Sequence, residues 1–278
     1  MIFLLLAIIS SAMISVIMRI STEKNEGKYA PLAMNYLICT LLSAGYAGFG
    51  RLFPAHAGLG LTLGLGAISG VLFLAAFLLL QINVQKNGVV FSAVFMKLGL
   101  LVPMALSILF FGEIPTWLQG VGFLAAVGAI LLMHLQKGAG NARAAGGLIL
   151  LLLAGGGSDA MAKVFETLGP GELANQFLFY NFLVAFLLCL ALVIWKKEKI
   201  GRREMLFGAL LGIPNFFSTK FLLMALGDLP AVIVYPTFSV GTILVVTVAG
   251  LLLFKEKLGK RQALAMSVIL LALILLNI

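Results

Sequence analysis

The sequence predicts an all-α integral membrane protein: ten transmembrane helices arranged as two inverted five-helix repeats. Three observations carry that expectation. Hydrophobic residues make up 62% of the 278 residues and charged ones only 10%, with a mean hydropathy of +1.14; a soluble domain carries roughly 25% charge. Apolar segments about 20 residues long, enough to cross a ~30 Å hydrocarbon core, follow one another until the chain is used up. The second half of the chain also repeats marks of the first.

In order, the spans are expected at 2–18, 31–50, 59–81, 88–111, 116–134, 145–166, 173–195, 205–226, 231–254 and 261–277. The first, Ile2 to Val16, has neither a basic leader nor a small-residue cleavage site, so it reads as a span rather than a signal peptide. Connections are short and polar or glycine-rich. The tightest, Gly112 to Pro115 and Asp228 to Pro230, make their flanking helices antiparallel neighbours.

The net charge of +9 lies almost entirely in loops. Cations such as Arg19, Lys24, Lys86, Lys137, Arg143, Lys196 and Lys255 fall in alternate loops, whereas Arg51 stands alone on the other side. The positive-inside rule then puts the odd-numbered loops in the cytoplasm and both termini outside. This distribution marks a membrane topology and excludes nucleic acid as a partner. Cys39 and Cys189 sit inside spans and imply neither a disulfide framework nor a metal site. His56 and His134 lie singly at span ends, as interfacial polar residues do.

The repeat divides the chain into 1–137 (spans one to five) and 144–278 (spans six to ten). Ser10-Ser11-Ala12-Met13 matches Ser158-Asp159-Ala160-Met161, and Asn35 matches Asn181. Gly66 and Gly70 match Gly208 and Gly212; Phe111-Gly112-Glu113 matches Phe254-Lys255-Glu256; Gln119 matches Gln262. An odd number of spans per unit inserts the second copy upside down, the architecture that places a site near the midplane and allows rocking between two access states.

Two stretches, Pro103 to Glu113 (PMALSILFFGE) and Gly241 to Glu256 (GTILVVTVAGLLLFKE), resemble the drug/metabolite transporter superfamily, and within it the EamA branch of ten-span bacterial permeases. Gly212 to Leu223 (GIPNFFSTKFLL) carries the same resemblance. It covers the whole chain in two halves and implies a transporter of the bacterial cytoplasmic (inner) membrane, without naming a substrate. Relatives of this kind usually keep both termini in the cytoplasm, opposite to what the loop cations argue here.

Gly66/Gly70 and Gly208/Gly212 each put two glycines on one helix face, for close packing in lipid. Pro103, Pro214 and Pro236 are expected to kink their helices and free the carbonyls of Gly99, Leu210 and Val232. The run Gly155 to Gly157 fits either a hinge or a helix crossing.

Charges inside spans are the sharpest sign of a site, because each is costly in hydrocarbon and faces a cavity or a partner. Four qualify: Lys97 deep in span four, Asp159 and Lys163 in span six, and Lys220 in span eight. Asp159 and Lys163, four residues apart, share a face and are expected to pair; their repeat counterparts are Ser11 and Ser15. Lys163 and Lys220 lie near enough to span ends to snorkel instead. Asn215, Thr219 and Phe216 on span eight, Phe217 beside them, Tyr235 before the kink of span nine, and Ser92 on span four add the polar and aromatic groups of a small-molecule pocket, or equally of a helix interface. The substrate-binding set is therefore Lys97, Asp159, Lys163, Asn215, Lys220, Tyr235, Ser11 and Phe216. Asn35, Tyr180 and Asn181 are placed to gate it or to bridge helices. Glu113 and Glu256 read as interface residues closing their spans.

Three lysines against one aspartate leave this set cationic by two charges, favouring an anionic or zwitterionic metabolite such as an amino acid or organic acid. Lys97, or the Asp159–Lys163 pair, is a candidate for proton coupling. An exporter of cationic or lipophilic drugs is the alternative within the same class; a channel or scramblase, or an integral membrane enzyme, are the alternatives outside it. No cluster of His, Cys or carboxylate at an interface supports an enzyme. No Gly-Lys-Ser/Thr phosphate loop supports an ATP-driven pump. Cofactors are not expected; the partners are a small-molecule substrate and the lipid bilayer, with the chain a monomer or homodimer.

Overall fold

The computed structural model describes residues 1–22, 29–87, 92, 95–134, 145–254 and 259–278. The loop residues Lys24, Lys28, Lys137, Arg143, Lys255, Glu256 and Lys257 lie outside the described residues, as do the side chains of Arg19, His134, Arg261 and Gln262. Among the described residues all regular structure is helical. The helices are α1 (Ile2–Thr22), α2 (Ala30–Ala47), α3 (Leu59–Asn87), α4 (Leu101–Phe111), α5 (Trp117–His134), α6 (Ala145–Leu168), α7 (Ala174–Lys196), α8 (Arg202–Asp228), α9 (Ala231–Phe254) and α10 (Lys260–Leu276). Six of them, α2, α3 and α6 to α9, are long and apolar enough to cross a membrane. Shorter apolar helices stand at Ile2–Met18, Phe95–Phe111, Trp117–Leu132 and Ala263–Leu276. The chain is a multi-pass membrane protein. Large apolar side chains such as Phe110, Trp117, Leu124 and Leu252 are exposed, as expected where the surroundings are hydrocarbon rather than water.

Two helices depart from the expected spans. The third runs on to Asn87, past the predicted end at 81, because its last turns have polar partners of their own. Asn83 is buried, and its Nδ2 donates to Leu79 O at 2.8 Å and to Gly147 O at 2.9 Å. Its Oδ1 accepts from Asn87 Nδ2 at 2.9 Å. Span four is interrupted by a 3₁₀ turn at Leu98–Leu100. Pro103 lies four residues past Gly99 in that turn, within the apolar helix Phe95–Phe111, so the interruption falls where the missing N–H of a proline disturbs a helix. Pro214 and Pro236 are inside α8 and α9 as predicted.

The chain packs as two compact units, each drawing on both sequence halves: Ile2–Leu74 with Val164–Ala225, and Met1 and Ala75–Lys163 with Leu226–Ile278.

In the first unit, α2 and α7 are tied at both ends. Glu198 Oε2 accepts from the N–H groups of Tyr29 at 2.8 Å and Ala30 at 2.9 Å, capping the start of α2. At the other end Gln176 Nε2 donates to Arg51 O at 3.0 Å, and the Tyr180 hydroxyl donates to Leu52 O. The paired glycines pack as read: a side chain at Gly66 or Gly70 would strike α7 at Tyr180, Asn181 and Val184, and one at Gly208 or Gly212 would strike α2 at Met34, Asn35 and Ile38. Rings of Tyr36, Phe73, Phe182 and Phe216 follow one another at centroid distances of 6.1 to 6.3 Å and fill the interior.

The second unit has its own core. Leu100, Ala126, Ala129, Ile130, Val240, Ile243, Ile269 and Ala272 are buried together. Gly122 lets α5 approach α10 closely, since a Cβ there would lie 2.9 Å from Leu275 Cβ.

Candidate substrate site

Four of the eight expected site residues fall in each unit. Lys97, Asp159, Lys163 and Tyr235 belong to the second. Lys97 immediately precedes the 3₁₀ turn at 98–100, where the helical pitch changes. It and Asp159 are close enough for their charges to act on one another, and both residues are half-buried. The Tyr235 hydroxyl donates to the backbone carbonyl of Asp159 at 2.7 Å, bridging α9 to α6.

The expected Asp159–Lys163 pair is redirected. Lys163 Nζ lies 2.8 Å from Glu113 Oε1, with side-chain exposures of 8% and 16%; it also sits 5.9 Å from the Phe111 ring centroid. The other carboxylate oxygen of Glu113 accepts from Val232 N at 3.2 Å in the first turn of α9, an end whose free amides favour a negative charge. The geometry follows from local sequence. Gly112 takes the left-handed conformation (φ 67°) that ends α4, and Pro115 prevents the helix from resuming, so Glu113 is turned toward α6 and α9. Glu113 was read from the sequence as an interface residue. It is instead the partner of Lys163, and the cationic surplus falls from two charges to one: Asp159 stands against Lys97 and Glu113 against Lys163, which leaves Lys220 of the other unit. The one sequence signal for it was a carboxylate fixed in a tight turn.

The run Gly155 to Gly157 resolves toward a crossing. A Cβ on Gly156 would meet Gly99 O and lie 2.7 Å from Val102 Cβ, whereas one on Gly155 would meet nothing within 4 Å. Gly156→Ala is therefore expected to lower stability by about 1–3 kcal/mol, with Gly155→Ala close to neutral, as read by thermal unfolding of the purified variants.

Asn215, Lys220, Phe216 and Ser11 belong to the other unit. Asn215 Nδ2 donates to Asn35 Oδ1 at 3.3 Å, which makes Asn35 a helix bridge. Thr219 bonds back to Asn215 O at 3.1 Å, along its own helix. Lys220 stands 3.1 Å above the Tyr46 ring and 5.8 Å from that of Phe216, a cation–π arrangement in place of snorkelling. Phe216 is fully buried, 5.4 Å from Tyr46 and 5.3 Å from Phe217. Ser11 takes the Ser15 hydroxyl on its carbonyl at 3.5 Å. Tyr46 had no local signal in the sequence, because only its fold neighbours distinguish it from any aromatic at a span end.

Comparison with known proteins agrees with this architecture. A crystal structure superposes with a TM-score of 0.78 over 99% of this chain and 94% of its own, at 13% identity, a likeness of fold alone. An uncharacterized protein of Haemophilus influenzae is 25% identical over 269 residues, covering 92% of this chain and 91% of that one. Residues 144–278 match the model of the EamA-like transporter family. The second half of the chain is thus similar to the EamA-like transporter family, part of the drug/metabolite transporter superfamily.

Proposed function

We propose that this protein is a secondary transporter of the bacterial inner membrane that moves a small zwitterionic or anionic metabolite, such as an amino acid or organic acid, by alternating access. The observation that carries the reading is the half-buried couple of Lys97 and Asp159, held at a break in span four and steadied by Tyr235 on the Asp159 backbone. One cation and one anion at such a point match a ligand bearing both charges, and a carboxylate alone through Lys97. With Glu113 counted, the balance of charge moves from anions toward zwitterions. Charged pairs of this kind are also suited to carrying a coupling proton.

Two inverted repeats are part of this reading. Its support is that Gly66 and Gly70 meet α7 at Tyr180, Asn181 and Val184, while Gly208 and Gly212 meet α2 at the matching Met34, Asn35 and Ile38. Each repeat lends its second helix to the glycine face of the other. Both termini lie outside in this proposal, and the chain acts as a monomer or homodimer.

A ligand-stabilisation screen on purified protein tests the substrate class, with amino acids, organic acids, phosphate esters and quaternary ammonium compounds at two pH values. Stabilisation by zwitterions or acids is the expected result. Stabilisation by lipophilic cations alone overturns it and points to a drug exporter. A reporter fused after Ile278 is expected to respond only from the extracytoplasmic side; a cytoplasmic signal reverses the topology.

A further inference from the structure

We infer that Glu113 is a positioning residue for substrate selectivity: by holding Lys163 it keeps the Asp159 carboxylate available for the ammonium group of the substrate. The inference rests on the zwitterion reading above and names the residue that makes it work.

Asp159 and Lys163 are placed to cancel one another. They stand one turn apart on α6, with the acid toward the N-terminus, the order in which an i, i+4 ion pair is favourable. Left to the helix alone, the lysine would lie over the aspartate and close off its carboxylate. Glu113 offers a better partner. Its Oε1 is 2.8 Å from Lys163 Nζ and little exposed, and its Oε2 is fixed by Val232 N at 3.2 Å. The carboxylate is thus held from a turn set by Gly112 and by the start of α9, and the lysine is drawn off toward α4, with Phe111 beside it.

The same contacts close a ring. From Glu113 the path runs to Lys163, back along α6 to Asp159 O, across the 2.7 Å bond to Tyr235, and down α9 to Val232, whose N–H returns to Glu113. One ion pair, two hydrogen bonds and two short stretches of helix make up the ring, so the position of Lys163 and that of the Asp159 backbone are set together. The charge of Lys97 is close enough to act on the acidic side chain. A ligand with an ammonium and a carboxylate can then take both ends of that couple, Asp159 for one and Lys97 for the other.

Removing the charge at 113 while keeping an acceptor for Val232 N gives Glu113→Gln. In that variant Lys163 returns to Asp159, and recognition of the ammonium group weakens while that of the carboxylate stays. The test uses the full-length protein and three probe sets: L-alanine, L-leucine and L-threonine, each with its deaminated acid and its decarboxylated amine. Ligand-induced thermal stabilisation gives the affinity ratios, and uptake into proteoliposomes gives transport. Wild type is expected to prefer amino acid over deaminated acid. E113Q is expected to lose roughly tenfold or more of that preference, the worth of one hydrogen bond to a charged group, and E113Q/K163M to regain it, because no lysine remains to return. If E113Q does not fold, Glu113→Asp, which reaches less far, is expected to shift the ratio in the same direction.

A uniform loss for all probes in E113Q, with no recovery in E113Q/K163M, makes Glu113 a structural brace and overturns the inference. Wild-type binding of the deaminated acids alone also overturns it, while the transporter reading stands. Wild-type binding of the amines alone removes the zwitterion reading itself.

Discussion

Replacing Glu113 by alanine is expected to lower the unfolding free energy by about 3–5 kcal/mol, the usual result of leaving one member of a buried ion pair without its partner. Three losses coincide at that site. Lys163, at 8% side-chain exposure, would lose its counter-ion at 2.8 Å and regain one only by taking Asp159 away from Lys97. Val232 N would lose its acceptor at the first turn of α9. The ring through Tyr235 and Asp159 would open at the point where the three helices meet. Lys163→Met alone should cost a similar amount, since it leaves the carboxylate at 113 uncompensated. The double variant Glu113→Gln/Lys163→Met should recover most of the loss, because two neutral side chains of similar volume replace a buried pair at little net change. Thermal unfolding of wild type, Glu113→Gln, Lys163→Met and the double variant in one lipid or detergent gives the coupling energy, with Glu113→Ala measured beside them. Additive losses in the double variant would mean that the 2.8 Å contact carries no coupling energy.

Lys97→Met is expected to abolish transport while leaving a folded protein. The substitution keeps a flexible apolar chain of nearly the same length, so packing next to the 3₁₀ turn is preserved. What it removes is the ammonium, and a ligand carboxylate loses a charge-assisted contact worth about 1.5–3 kcal/mol in binding alone. Proteoliposome uptake should fall to background, and the melting transition should remain cooperative. Full transport by Lys97→Met would remove Lys97 from the site and shift attention to Lys220 and its aromatic neighbours.

How much of this was legible in the sequence follows from what each signal reports. Helix positions came from the length of apolar runs, a local property, and the ends of α2 and α5 to α10 fall within a few residues of expectation. The glycine faces were legible because four-residue spacing on a helix is itself the geometry of close approach. The partner of Lys163 was not legible. Periodicity offered Asp159, four residues away, and gives no weight to Glu113, which lies fifty residues distant and reaches the lysine only once α4 and α6 have packed. Lys220 is similar: its sequence neighbours suggested snorkelling, and the fold supplied Tyr46. The extension of α3 escaped for the opposite reason. Hydrocarbon thickness bounds the apolar run, but polar residues such as Asn83 continue a helix wherever they find acceptors, here on Leu79 and Gly147.

The two glutamate caps have a bearing on how the chain is made. Glu113, from the first half of the chain, holds the start of α9 in the second. Glu198, from the second half, holds the start of α2 in the first, from 168 residues further on. Synthesis at 5–20 residues per second puts roughly ten to thirty seconds between the emergence of α2 and that of its cap. During that interval the amides of Tyr29 and Ala30 must stay with water or lipid headgroups, because an unpaired N–H is not tolerated in hydrocarbon. A span whose first turn stands at the membrane surface meets that condition in place, so these amides pass from water to Glu198 only after α7 and the loop behind it have been made.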